Sequence, residues 1–127
     1  MGNNFSISKT TKGKLPSLPF ELMRDAVLGK NYELSLVFIG NKKSRVLNKK
    51  HRGKDKSASI LSFPLSKKEG EIFICLDTAK RDARKFEMKK SKFIGFLFIH
   101  GLMHLKGFKH GSTMKRAEKK IWLKFFI

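Results

Sequence analysis

Two spacings of apolar residues divide the chain into candidate strands and candidate helices. Alternating positions and short apolar runs predict four strands, over Phe5–Thr10, Glu33–Ile39, Ala58–Phe63 and Glu71–Leu76. Helical spacing predicts five helices, over Phe20–Leu28, Lys42–Lys50, Ala79–Met88, Lys92–Leu105 and Thr113–Phe126. Pro64 is expected to end the third strand, and a loop is expected over Leu65–Gly70.

The boundaries and inner faces of these elements follow from local signals. Asp77 or Thr78 is expected to cap the third helix, and Ser91 the fourth. In the second helix, Val46 and Leu47 are expected to face inward. The fourth helix is apolar on almost every side, which is typical of a helix buried in the centre of a fold.

Helices and strands follow one another without regular alternation, which favours an α/β (α+β) fold. We expect a small mixed sheet packed with helices around a buried central helix. The 127 residues suit a single domain, 1–127. Hydrophobic residues make up 40% of the chain, which argues against disorder. Cys75 is the single cysteine, so no intrachain disulfide can form, and we interpret it as an inert core residue in a cytoplasmic protein.

The chain has a large excess of basic residues. The chain has 29 Lys and Arg residues against 10 Asp and Glu, a formal net charge of +19. Solubility needs a net charge of only about 2–8 in a small domain, so the excess indicates a polyanionic partner. Eight basic residues and one acid lie between Lys42 and Lys56. The alternative is a lysine-biased composition with solvated faces. Phe93–Leu105 is the longest apolar run, too short to span a bilayer.

Three of the four histidines lie within eleven residues, at His100, His104 and His110. The first two are four residues apart and therefore share one face of a helix. Gly107 can end that helix in a left-handed turn, so that His110 returns to the same ion. Three imidazoles without cysteine are typical of catalytic zinc, with a fourth position open to water whose pKa zinc lowers to about 7. We therefore predict one zinc ion, although the residues leave a purely structural zinc open.

The same spacing occurs in the metzincin proteases, whose motif is H-E-x-x-H-x-x-G-x-x-H. Their glutamate is the general base, and its position here is occupied by Gly101. Peptide hydrolysis of that type is therefore disfavoured. The base would be zinc-bound hydroxide or a carboxylate from elsewhere in the chain, with Glu71 a candidate for orienting a histidine or water.

The chain resembles the YbeY family, the bacterial endoribonuclease and rRNA maturation factors. The family segment H-G-x-x-H-x-x-G-Y-D-H appears at positions 100–110 as H-G-L-M-H-L-K-G-F-K-H. A second block, L-N-x-x-Y-R-x-K-D-x-P-T-D-V-L-S-F-P, appears at positions 47–64 as L-N-K-K-H-R-G-K-D-K-S-A-S-I-L-S-F-P. The family's G-D-I appears as G-E-I at positions 70–72. This chain departs from the pattern at positions 57–59, at Lys109 and at His51.

The resemblance implies a single-domain α/β fold, zinc on the three histidines and RNA cleavage tied to ribosome maturation. It also implies a catalytic role for Arg52, whose alternative role is an ion pair with Asp55 or Glu71. The resulting hypothesis is a zinc-dependent, single-strand-specific endoribonuclease acting on ribosomal RNA precursors in the cytoplasm. The alternative is a ribosome-associated, RNA-binding assembly factor whose zinc is mainly structural.

Overall fold

Four strands form one mixed sheet in the part of the chain that the computed structural model describes, residues 4–126. The strands are β1 (Phe5–Lys9), β2 (Glu33–Ile39), β3 (Ile60–Ser66) and β4 (Glu69–Cys75). The helices are α1 (Phe20–Leu28), α2 (Asn41–Arg52), α3 (Leu76–Lys85), α4 (Lys90–Lys106) and α5 (Ser112–Phe126). None of these helices is long and apolar enough to cross a membrane.

The sheet has the strand order β1-β2-β4-β3. The pairs β1–β2 and β2–β4 are parallel. Helix α1 returns the chain to the starting edge of the sheet between β1 and β2, and α2 with β3 does so between β2 and β4. The β3–β4 pair is an antiparallel hairpin, so the sheet is mixed. One α/β domain with a small mixed sheet is the architecture that the sequence predicted.

Helix α4 packs on one face of the sheet and forms the centre of the core. Ile94, Phe98 and Leu102 are fully buried on it, against fully buried sheet residues such as Ile72 and Ile74. The predicted central helix is therefore confirmed. Phe96 departs from the expected all-round burial, since it is 40% exposed.

The third strand is longer than predicted. It continues through Pro64 to Ser66, and the expected loop shrinks to a two-residue turn at Lys67 and Lys68 before β4 begins at Glu69. The prediction was wrong because β3 is an edge strand. Proline has no backbone N–H, which a central strand needs for hydrogen bonds on both sides. An edge strand pairs on one side only, so it tolerates a proline.

Helix α2 buries two polar residues, and the expectation that Val46 faces inward was wrong. Val46 is 60% exposed and Leu47 is half-buried, whereas Ser44 and Asn48 are almost completely buried. The Ser44 hydroxyl lies 2.8 Å from both the carbonyl oxygen and the amide nitrogen of Ala58, and the Asn48 amide donates to the Lys56 carbonyl. These bonds attach α2 to the segment that leads into β3. They satisfy the Ser44 hydroxyl and the Asn48 amide N–H, whereas Asn48 Oδ1 is buried without a hydrogen-bond partner among the described residues.

The expected helix caps were also wrong. Helix α3 begins at Leu76, directly after β4, so Asp77 and Thr78 lie inside its first turn. The Thr78 hydroxyl donates to the Cys75 carbonyl in place of capping an amide. Helix α4 begins at Lys90, ahead of Ser91, and neither helix has a side-chain cap. In α3 the reason is that the helix follows β4 without a connecting residue, so no separate capping residue lies between them.

Candidate metal centre

The end of α4 and the turn after it bring His100, His104 and His110 together. Gly107 ends the helix with φ of 106°, the left-handed conformation that glycine adopts at low cost. The ring centroids of His100 and His104 are 4.6 Å apart, and His110 lies 5.2 Å and 4.7 Å from them. One nitrogen from each ring lies within 4.8 Å of the others, so the three can ligate one ion.

Hydrogen bonds at Nδ1 orient two of these rings. The Nδ1–H of His104 donates to the carbonyl oxygen of Phe108 at 3.2 Å, and the Nδ1 of His100 lies 2.6 Å from the Glu118 carboxylate. With the Nδ1 protons assigned from these acceptors, each Nε2 carries a lone pair. The two Nε2 atoms lie 3.1 Å apart. Two lone pairs at that distance repel unless a cation lies between them, so this donor set fits a metal ion.

The environment of His104 also favours ligation. Burial lowers the pKa of this imidazole, and the neighbouring His100 lowers it further. The effect of burial arises because a charged ring is disfavoured away from water. A neutral ring is the form that binds metal.

Glu118 is a site residue that sequence reasoning missed. It lies on α5, and its side chain is only 13% exposed where it meets His100. Acceptors of this kind fix the tautomer and orientation of a ligating histidine. The sequence did contain a signal, because Glu118 is the one acidic residue after Glu87 in a strongly basic segment. Only the packing of α5 against α4 shows which histidine it meets.

Arg52 lines a cleft of about 540 Å³ together with all three histidines. We call this the Arg52 cleft; its other walls are His51, residues 60–63 of the edge strand β3, and Gly101. Arg52 is exposed and makes no ion pair within residues 4–126. Asp55 is paired with Arg45 instead, through two contacts of 2.7 Å and 3.1 Å. The alternative role of Arg52, an ion pair with Asp55 or Glu71, is therefore not found within the described residues.

Glu71 does not contact the histidine cluster. Side chains alternate along β4, and Ile72 and Ile74 face α4, so Glu71 lies on the opposite face of the sheet. It borders a separate recess with Phe63 and Phe73. The suggestion that Glu71 orients a histidine was wrong, and Glu118 makes that contact. Cys75 is fully buried and lies 3.3 Å from Asn41 Oδ1, as expected for a core thiol outside the cluster.

Comparisons with known proteins identify the family of this chain. A family model described as Endoribonuclease YbeY matches residues 5–124. The chain belongs to this family. The matched region includes every side chain of the histidine cluster, Glu118 and the Arg52 cleft.

Individual YbeY relatives show the same affiliation. The chain is 35% identical to the Endoribonuclease YbeY of Alkaliphilus metalliredigens over 101 residues, which cover 71% of this chain and 65% of the relative. It is 32% identical to that of Colwellia psychrerythraea over 123 residues, covering 85% and 79%. The chain thus spans about two thirds of the length of the first relative.

The fold has a solved counterpart. The solution structure of TM1509 from Thermotoga maritima matches with a TM-score of 0.65 at 24% identity, covering 94% of this chain and 90% of that one. At this identity the likeness supports the α/β architecture alone.

Gly101 separates this YbeY chain from the metzincin pattern for a structural reason. A Cβ at Gly101 would lie 2.8 Å from Ile60 Cδ1 and 3.1 Å from Ile72 Cδ1. The position faces the sheet, where α4 packs closely, so a side chain here would have to displace the ends of two isoleucines. The general base of a metzincin is absent from this position.

Proposed function

We propose that this chain is a zinc-dependent endoribonuclease that cleaves single-stranded RNA during ribosomal RNA processing. His100, His104 and His110 would hold one zinc ion, and Arg52 would act on the phosphate. The observation that carries the proposal is the pair of facing Nε2 atoms, 3.1 Å apart, in the same cleft as Arg52, which has no ion-pair partner among residues 4–126. Membership of the endoribonuclease family supports the choice of RNA as substrate.

The histidine cluster, the groups that orient it and Arg52 each have a defined task in this proposal. Bound zinc would supply a Lewis acid that polarises water or a phosphate oxygen. Glu118 and the Phe108 carbonyl hold the rings of His100 and His104 in the ligating orientation. The Arg52 guanidinium would bind two phosphate oxygens and stabilise the charge that accumulates on them during cleavage.

The surface charge fits an RNA strand. All eight basic residues between Lys42 and Lys56 are exposed, and Arg52 lies among them beside the cleft. Phosphates would be attracted along this face without base-specific contacts. Ribosomal RNA precursors in the cytoplasm are the proposed substrate because of the resemblance of two sequence blocks to rRNA maturation factors.

A second function is favoured by one observation. The three histidines join the end of α4 to the turn before α5, so an ion on them would also stabilise this corner of the fold. In that case the protein would be a ribosome-associated RNA-binding assembly factor with a structural zinc.

Removal of the metal distinguishes the two functions. The experiment measures cleavage of a single-stranded ribosomal RNA fragment by the purified, untagged protein before chelation, after chelation and after zinc is restored, with the melting temperature at each stage. An endoribonuclease should lose cleavage while remaining folded, and regain it with zinc. Loss of folding on chelation, with no cleavage by the zinc-loaded protein, would support the assembly factor.

A further inference from the structure

A second cavity borders the histidine cluster on the side of α5. We call it the Trp122 recess. It has a volume of about 440 Å³ and shares His100 and His110 with the Arg52 cleft. Its remaining walls are Phe96, Gly111, Met114, Lys115, Glu118, Lys119 and Trp122. The proposed chemistry of the cleft does not use these aromatic and lysine side chains.

The rings of this recess are held in place by packing. Trp122 stacks on Phe126 with centroids 4.3 Å apart and an angle of 18°. Phe126 in turn lies on Gly95 of α4, where a Cβ would overlap its ring. Phe96 is 40% exposed although it lies on the central helix, and its ring stacks with that of His100 at 6.3 Å. Two ordered rings thus border an accessible cavity beside the proposed metal ligands.

The charge at the edge of the recess is positive. Lys115 and Lys119 are four residues apart on α5, so they lie on the same side of the helix as Trp122. Both are exposed, and neither forms an ion pair within the described part of the chain. The one acid of the recess, Glu118, is engaged by His100. Rings beside unpaired cations are the usual means of binding single-stranded nucleic acid.

We infer that the Trp122 recess binds one nucleobase of the RNA strand whose phosphate enters the Arg52 cleft. The base stacks on Trp122 and Phe96, and Lys115 and Lys119 hold the phosphate next to it. This inference rests on the proposed function, because the strand has to cross the histidine cluster to reach both cavities. Base binding in the recess would also account for the proposed preference for single-stranded RNA, because a base in a duplex is not free to leave its own stack. A second copy of this chain is a poor occupant, because both copies carry a net charge of +19.

Trp122 is the single tryptophan of the chain, so its emission reports on the recess directly. The zinc-loaded protein is titrated with a six-nucleotide, 2′-O-methyl RNA that cannot be cleaved through its 2′ oxygen. Saturable quenching of the emission is expected, and an oligonucleotide with abasic positions should quench far less. Phe96→Leu should weaken binding by about 5-fold to 150-fold, the range measured for one stacked base. Phe86→Leu is the control, because Phe86 is 66% exposed but lies outside the recess.

Because Phe96 contacts His100, zinc content and melting temperature are measured for Phe96→Leu. A second variant, Lys119→Gln, tests the recess without altering that contact. Lys119→Gln should reduce the slope of log affinity against log salt by about 0.7, the value for one phosphate contact on a single strand. Lys67→Gln, at the tip of the β3–β4 hairpin, should leave the slope unchanged.

Three results would overturn the inference: absence of quenching, parent-like affinity in both Phe96→Leu and Lys119→Gln, or an emission change that depends on protein concentration without RNA. The last would identify a second copy of the chain as the occupant. Failure of the proposed function is a separate result. Quenching that requires Phe96, in a protein that cleaves no RNA, would retain the recess as a base-binding site and remove the nuclease.

Discussion

The two cavities that border the histidine cluster differ in what they offer an RNA strand. The Arg52 cleft has a guanidinium and the edge strand β3, whereas the Trp122 recess has two rings and two lysines. His100 and His110 belong to both. Under the two proposals above, the cleft would act on the phosphate and the recess would retain the strand. Changes in the cluster, in the cleft and on the basic surface should therefore have separable effects.

The largest effect is expected when the cluster itself is broken. His104→Ala removes one of three ligands, so the variant should lose most of its zinc and essentially all cleavage. Zinc per chain is measured by elemental analysis of untagged protein. His51→Ala is the matched control, because His51 lines the Arg52 cleft but is not part of the cluster. Full zinc occupancy in His104→Ala would contradict the three-histidine site.

The next effect should be confined to the cleft. Arg52→Ala should lower single-turnover cleavage about 100-fold to 1,000-fold, the cost of losing one well-placed donor to the transition state. RNA affinity should change little, because Arg52 is one of 29 basic residues. Cleavage is measured at saturating protein, with affinity and melting temperature in parallel.

Two companion variants sharpen this result. Arg52→Lys should restore cleavage only in part, because lysine keeps the charge but not the two-pronged contact. Arg45→Ala should cleave at the parent rate, since Arg45 lies on the same helix but is paired with Asp55. Parent-like cleavage by Arg52→Ala would make Arg52 a generic basic residue.

A smaller effect is expected from the residue that orients His100. Glu118→Gln keeps the size of the side chain but weakens the bond to the ring, so zinc affinity should fall about 10-fold to 100-fold. Competition with a chromophoric chelator measures this affinity. Glu33→Gln, an exposed acid on β2, should bind zinc like the parent. Equal affinities in the two variants would leave Glu118 with a packing role alone.

The smallest single effect is expected on the basic surface beside the cleft. Over a fourfold rise in salt, each phosphate contact on a single strand should weaken RNA affinity by about 2.6-fold, from a slope of about −0.7. Lys49→Gln should reduce the magnitude of the slope by about 0.7, and Lys67→Gln should leave it unchanged. The slope is read from titrations between low and high salt. An affinity that does not change with salt would argue against phosphate-led binding.

The sequence was most informative where the contacts are local. The spacing of His100 and His104, with Gly107 as the turn, was enough to predict a cluster that includes His110. The bounds of α1 and β2 were predicted correctly for the same reason. In each case the interacting residues lie close together in the chain, within one helix and the turn after it or in a single strand, so local backbone geometry brings them together.

Predictions of burial from the pattern of apolar residues failed where polar side chains form hydrogen bonds with distant parts of the chain. Ser44 and Asn48 are buried in α2 because their side chains bond the backbone before β3, while Val46 is exposed. Pattern alone treats a serine or asparagine as a surface residue. Burial of such a group depends on whether the fold supplies a hydrogen bond.

What the sequence determined by itself was therefore an α/β domain, its central helix, the proximity of three histidines and a strong net positive charge. The tertiary structure decided which distant groups join that cluster. It placed Arg52 in the same cleft, replaced Glu71 with Glu118 as the carboxylate at His100, and opened the Trp122 recess beside them. The physical reason is that strand order and helix packing, which no local spacing specifies, determine which face of each element a side chain shares.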